Sequence, residues 1–312
     1  MKTAFLFAGQ GAQTLGMGQE LYEKYSIVRE TFQEASHALG YDLAQIIFYD
    51  EEKLNQTEYT QPAILTVSMA IARLLKENGI EPTAACGLSL GEYSALVASG
   101  AIDFQTAVKL VAKRGKWMSE AAPKGTGKMV AVMNAEPSLI EEICEKATKK
   151  GIVSPANYNT PTQIVIGGEI QAVDYAVELL KENGVKRMIE LNVSGPFHTA
   201  LLKQASEKLA EELKEINFQT PNFPVISNTT AKQFKQEEIK DLLTKQVMSP
   251  VRFYDSIEEL KTQNFDTYLE VGPGKVLTGF LKKIDKTLKT TRVENEKTLE
   301  EAIKFFKETK TN

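Results

Sequence analysis

The chain of 312 residues has only two cysteines, two histidines and one tryptophan. It also has no apolar run long enough to span a bilayer. Each scarcity excludes something. Cys86 and Cys144 lack CxxC spacing and sit in apolar or helical contexts, so a disulfide framework and a thiolate zinc site are excluded. Two reduced, partly buried thiols are expected instead. His37 and His198 lie in no ligand-spaced motif, so no metal centre is expected. An excess of positive charge is missing too. Lys and Arg number 37 against 41 Asp and Glu, a net charge of −4, which argues against a dedicated nucleic-acid binder. The apolar run at residues 3–8 is too short for a signal core and leads straight into a Gly-rich turn. A soluble, cytoplasmic protein is expected.

What is present is an ordinary globular composition, 42% hydrophobic and 25% charged, in a chain long enough for one large domain with a smaller insert. Residues 3–8 read as a buried strand, followed by the turn Gly9-Gln10-Gly11. Helical periodicity runs over 19–39, with Leu21, Tyr25, Val28, Phe32 and Ala35 near one face. Further helices are expected over 62–78, from about 90 to 100, and over 103–121 with Asp103 as N-cap; a short strand occupies 84–87. The Pro- and Gly-rich stretch 123–127 marks a break. Beyond it the pattern becomes strand 129–133, helix 137–149, strands 152–157 and 162–167, helix 170–183 and strand 187–193. That βαββαβ order is ferredoxin-like. After Ser194-Gly195-Pro196 the α/β alternation resumes, ending in an amphipathic stretch at 299–306. The expected architecture is an α/β subdomain of residues 1–124 and 195–312, interrupted by a ferredoxin-like α+β subdomain at 125–194.

The sharpest local signal is Gly87-Leu88-Ser89-Leu90-Gly91, a G-x-S-x-G between a short strand and a helix. On such an elbow the serine is strained and exposed, and the glycines let neighbouring backbone pass closely. Its oxygen then sits at a helix N-terminus, which favours developing negative charge. The competing reading is a tight turn with a serine N-cap. A serine nucleophile needs a base. His37 falls inside a helical pattern and reads as a surface or half-buried residue, whereas His198 follows the strand end and the turn Ser194-Gly195-Pro196-Phe197. Loops at strand ends carry catalytic groups, so His198 is the candidate base.

Taken in order, the motifs resemble those of the malonyl-CoA:acyl-carrier-protein transacylases of bacterial fatty acid synthesis. The resemblance rests on Phe7-Ala8-Gly9-Gln10-Gly11-Ala12-Gln13, Gln61-Pro62-Ala63, Gly87 to Glu92, Arg114-Gly115, Asn157-Tyr158-Asn159-Thr160-Pro161, Gly195-Pro196-Phe197-His198, Gln246 with Pro250-Val251, and Glu270-Val271-Gly272-Pro273-Gly274. It covers essentially the whole chain and implies a hydrolase-like α/β subdomain carrying a ferredoxin-like one. It further implies that Ser89 attacks the thioester of malonyl-CoA, that His198 takes its proton, and that the Gln246 backbone carbonyl orients the imidazole in place of an acid. The N–H groups of Gln10 and Leu90 would form the oxyanion hole. Arg114 would bind the malonyl carboxylate, although its local sequence reads as a solvated helix charge. Phe197 would crowd a branch at the acyl alpha carbon. Gln61 and Asn159 would line the pocket, with a helix-start residue and a turn residue as their plainer readings. Malonyl-CoA enters as substrate, with no bound cofactor. The implied partners are malonyl-CoA and acyl carrier protein, with neither nucleic acid nor membrane, and the chain is expected to be a monomer.

Leu88 stands where the family commonly has histidine, and Ala8 and Ala12 where proline and serine are common. Two other motifs fail. A dinucleotide fingerprint from Gly9 has Thr14 in the third glycine's place, and a phosphate loop ending at Gly127-Lys128 has Ala122 and Met129 in required positions. The cluster Lys282, Lys283, Lys286, Lys289 and Arg292 reads as a solvated face, with steering of an acidic carrier or of CoA phosphates as the alternative. Three alternative activities remain open at this stage: a malonyl acyltransferase serving a polyketide synthase, a serine thioesterase or hydrolase, and a non-catalytic carrier-binding protein.

Overall fold

The computed structural model describes residues 1–311. Its ten strands are β1 (Thr3–Phe7), β2 (Ala84–Gly87), β3 (Gly127–Met133), β4 (Val153–Thr160), β5 (Gln163–Glu169), β6 (Met188–Glu190), β7 (Val225–Ile226), β8 (Val251–Arg252), β9 (Thr267–Val271) and β10 (Lys289–Val293). They form two five-stranded sheets in a mixed α/β fold.

The first sheet has the order β10-β9-β1-β2-β7 and is parallel throughout. Parallel sheets need apolar cover on both faces. β1 meets that need by alternation: Phe5 and Phe7 point into one core, Ala4 and Leu6 into another with Cys86, Tyr268 and Leu277. Chain order reverses on either side of β1, so the carboxyl ends of β1 and β2 open a crevice suited to a ligand.

The second sheet has the order β6-β3-β5-β4-β8. Its first four strands pair antiparallel in the ferredoxin-like order, while β8 adds to β4 in parallel from the later part of the chain. Along β3 the period of two sorts the side chains. Val130 and Val132 pack under the helices Pro137–Ala147 and Ile170–Glu182. Met129, Ala131 and Met133 face the other way with Ala156, Val165 and Leu191. That second, apolar face forms a wall of the site described below.

Several expected elements shift. The helix expected over 19–39 is two helices, Gln19–Lys24 and Ser26–Leu39, broken at an extended Tyr25 whose hydroxyl donates to Glu296 Oε1 at 3.0 Å. The helix expected from Pro62 begins at Thr57, with Pro62 inside it. Burial of nearly every residue from Thr60 to Ile71 outweighs the one hydrogen bond that proline forfeits. Helices at Leu43–Tyr49 and Glu51–Leu54 were not expected, although Asp42 and Asp50 cap them in the usual way. The last strand of the small sheet keeps only Met188–Glu190 of the expected 187–193: the Leu191 N–H still donates to the Met129 carbonyl at 2.9 Å, and Asn192 to Ser194 then turn away to line the cavity. Asp103 caps its helix as expected, accepting from the Thr106 N–H. Among the described residues no helix is long and apolar enough to cross a membrane.

Candidate active site

β2 ends at Gly87, and the helix Gly91–Ala98 starts four residues later. Ser89 lies between them at φ 56, in the left-handed region that costs a non-glycine residue about 1–3 kcal/mol. The turn is this tight because the glycines remove side chains. A Cβ on Gly87 would overlap the backbone of Gly91 and Glu92, one on Gly91 the Phe7 carbonyl, and one on Gly9 the Leu88 carbonyl. The β1 turn therefore lies directly against the elbow. Gly11 serves differently, supplying a φ of +105 with open space around it.

Ser89 Oγ is 2.6 Å from His198 Nε2, and His198 Nδ1 is 2.9 Å from the Gln246 backbone oxygen. A carbonyl oxygen can only accept, so Nδ1 carries the hydrogen and Nε2 is free to accept from the serine hydroxyl. His198 is itself left-handed at φ 63, and its N–H donates to the Val247 carbonyl at 3.2 Å. It is buried. Burial, and then the charge of Arg114, push its pKa down to about 4, against a smaller upward pull from the Gln246 carbonyl. His37, by contrast, is an exposed residue of the helix Ser26–Leu39 and does not line the cavity that Ser89 borders.

Arg114 projects from the helix Phe104–Ala121 and is 1% exposed. The sequence context had suggested a solvated charge; burial of the whole side chain corrects that reading. Its Nη1 donates to Gln61 Oε1 at 2.8 Å, and Nη2 donates to Gln246 Oε1 at 2.8 Å and to Ser89 Oγ at 3.3 Å. The guanidinium carbon lies 5.2 Å from the Tyr93 ring centroid. Among the described residues no carboxylate pairs with it, and Nε has no partner. Its direct partners are all neutral oxygens, with the Glu92 carboxyl acting on it only at longer range, so this desolvated cation is expensive unless an anion joins it.

The N–H groups of Gln10 and Leu90 donate to no acceptor among the described residues. The side chain of Gln10 is tied down, donating to Thr57 Oγ1 at 3.1 Å and Ser194 Oγ at 3.2 Å. Ser89 and His198 open onto a cavity of about 230 Å³, whose apolar lining includes Leu88, Met118, Met129, Val165 and Phe197. Asn159 lines it too, with Nδ2 bonded to Gln163 Oε1 and a buried Oδ1 that has no partner. Gln61 was expected at the wall and is instead fully buried behind it, because its amide bridges Arg114 and Gln10. A larger groove of about 650 Å³ lies elsewhere, around Arg73, Phe104 and Asn222, with no serine or histidine in its lining.

Two features had no clear sequence signal. One is the Gln246 side chain, which links Arg114 to the elbow by donating from Nε2 to the Ser89 carbonyl at 2.8 Å. The other is Asn228, which contacts the elbow from the segment after β7.

The family described as acyl transferase domain matches residues 4–308. Over 314 aligned residues the chain is 46% identical to the malonyl CoA-acyl carrier protein transacylase of Bacillus subtilis (strain 168), covering 100% of this chain and 99% of that protein. The crystal structure of MCAT from Streptococcus pneumoniae superposes with a TM-score of 0.96 at 58% identity, covering 97% of this chain and 99% of that one. A malonyl-transacylase solved with a type II PKS acyl-carrier protein gives a TM-score of 0.94 at 43% identity, covering 97% of this chain and 99% of that chain. By sequence and by fold, the chain belongs to the acyl transferase family, among the malonyl CoA-acyl carrier protein transacylases.

Proposed function

We propose that this chain transfers the malonyl group from malonyl-CoA to the phosphopantetheine thiol of an acyl carrier protein, through a malonyl ester on Ser89. One observation carries the reading: a serine–histidine pair stands directly beside a buried guanidinium that has no carboxylate partner. The malonyl carboxylate supplies the missing anion, and its pairing with Arg114 brings the thioester carbonyl to Ser89.

In this scheme the Ser89 proton moves to His198 Nε2 as Oγ attacks the thioester carbonyl. The Gln10 and Leu90 N–H groups hold the resulting oxyanion. Collapse breaks the carbon–sulfur bond, and His198 returns its proton to the departing CoA thiolate. The carrier thiol then repeats the steps in reverse and leaves with the malonyl group. The Gln246 carbonyl fixes the imidazole tautomer throughout but stabilises the imidazolium less than a carboxylate would. Phe197 limits bulk at the acyl alpha carbon, and the free Oδ1 of Asn159 is an acceptor for a pantetheine N–H. We assign the carrier to fatty acid synthesis and the chain to the cytoplasm, the latter supported by two buried free thiols and by a described region without a membrane-spanning helix.

Intact-mass analysis after exposure to malonyl-CoA tests the scheme. One malonyl adduct per chain is expected, stable until holo carrier protein discharges it. Rapid release of free malonate without carrier would make the protein a hydrolase. Comparing rates on purified fatty-acid and polyketide carriers tests the choice of carrier.

The pH dependence follows from the base. His198 works in its neutral form, and its pKa lies at about 4. The second-order rate constant for acylation at low malonyl-CoA, which reports the protein before a carboxylate reaches Arg114, is therefore expected to stay flat from about pH 8 to about pH 5 and to fall as pH drops through about 4. An inflection near the ordinary histidine value of about 6.5 would mean that another group is the base.

A further inference from the structure

We propose that Asn228, anchored by Glu92, is a positioning residue that clamps the nucleophile elbow and so aims both the Ser89 hydroxyl and the Leu90 N–H. The proposal rests on Ser89 being the acylated residue. Asn228 spans the elbow with its amide: Oδ1 accepts from the Ser89 N–H at 2.8 Å, and Nδ2 donates to the Gly87 carbonyl at 2.6 Å. Both contacts lie on the amino-terminal side of the Ser89 Cα. On the other side the Ser89 carbonyl accepts from the Glu92 N–H at 3.0 Å and from Gln246 Nε2 at 2.8 Å. Peptide groups are planar, so the carbonyl contacts set the direction of the Leu90 N–H in the same plane. The Asn228 contacts set the plane before it. Together they determine φ at Ser89, a left-handed value that the chain would not hold unaided.

The clamp is itself held at both ends. The Asn228 N–H donates to Glu92 Oε2 at 2.6 Å, and its carbonyl accepts at 2.8 Å from the N–H of Arg252, the second residue of β8 in the small sheet. Glu92 and Asn228 are both fully buried. Neither borders the cavity, so neither touches the acyl group. Burial pushes the Glu92 carboxyl up to about 8, while the Asn228 N–H and the Arg114 charge pull it down. What the clamp requires of Glu92 is an acceptor oxygen rather than a charge. Glutamine supplies that oxygen and alanine does not.

The test compares Asn228→Ala, Glu92→Ala and Glu92→Gln with the unsubstituted protein, with rates expressed per site that malonyl-CoA can acylate. Asn228→Ala is expected to lower kcat about 100-fold, the scale of a misaligned reacting group, with KM for malonyl-CoA within about threefold. Glu92→Ala is expected to fall in the same direction, and Glu92→Gln to recover most of that loss. Asn228→Asp keeps the shape and the acceptor for the Ser89 N–H but loses the donor to Gly87; it supplies the same readout if the alanine variant does not fold, with a kcat loss of about 10-fold. A folded Asn228 variant with wild-type kcat per site overturns the proposal. So does a Glu92→Gln variant as slow as Glu92→Ala. Absence of a malonyl adduct on Ser89 in the unsubstituted protein would instead overturn the reading of the active site, which separates the two failures.

Discussion

Replacing Ser89 with alanine is expected to remove the malonyl adduct from the intact-mass spectrum and to lower transfer to carrier protein by about 10⁴-fold or more. The size of the effect reflects what the hydroxyl alone does. It is the only group within hydrogen-bond reach of His198 Nε2 among the described residues, and without it no covalent ester can form. Binding of malonyl-CoA should survive, because Arg114 and the two free backbone N–H groups remain in place. Isothermal titration on the Ser89→Ala protein checks this, and retained affinity with no turnover is the expected pair of results. Unchanged carrier acylation in this variant would place the activity elsewhere and leave a carrier-binding role for this site.

Arg114→Ala is expected to cut malonyl transfer by roughly 10² to 10³-fold while leaving acetyl transfer within about tenfold of the unsubstituted protein. Removing one member of a buried ion pair costs about 3–5 kcal/mol, and this variant leaves the malonyl carboxylate desolvated without its cation. Acetyl has no carboxylate and loses no such contact. The substitution also orphans Gln61 Oε1 and Gln246 Oε1, which accounts for some loss with either donor. Arg114→Lys should recover only part of the malonyl rate, since a point charge cannot reproduce the planar fork. There is a second readout. Arg114 helps to hold the His198 pKa down, so the acidic limb of the acetyl-transfer profile should move to higher pH in Arg114→Ala. Equal losses for malonyl and acetyl donors would remove Arg114 from acyl selection.

Much of the fold was legible because periodicity reports burial. The alternation in β3 and the apolar runs of β1 and β2 were plain, and the βαββαβ order pointed to the small sheet. The errors have local causes. Pro62 read as a helix start because proline favours the first helical position, whereas tertiary burial carries the helix one turn and more before it. Tyr25 read as one more apolar-face residue, although its hydroxyl bond to Glu296, 271 residues away, accompanies the break there. Asn192 and Val193 continue a strand pattern in the sequence but leave the sheet for the cavity.

Ser89 and His198 stood out in the chain because their chemistry depends on rare local patterns: glycines that permit a sharp elbow, and a lone histidine after a strand. Those constraints act over a few residues, so sequence alone determined them, together with the fold class. Only the tertiary structure decided that Arg114 lacks a carboxylate partner, that Gln61 stands behind the cavity rather than on its wall, and that Asn228 and the Gln246 amide grip the elbow. The reason is desolvation. Whether a charge or an amide is a solvated surface group or a buried part of a site depends on which distant segments exclude water from it, and segments more than a hundred residues apart meet only in the folded chain.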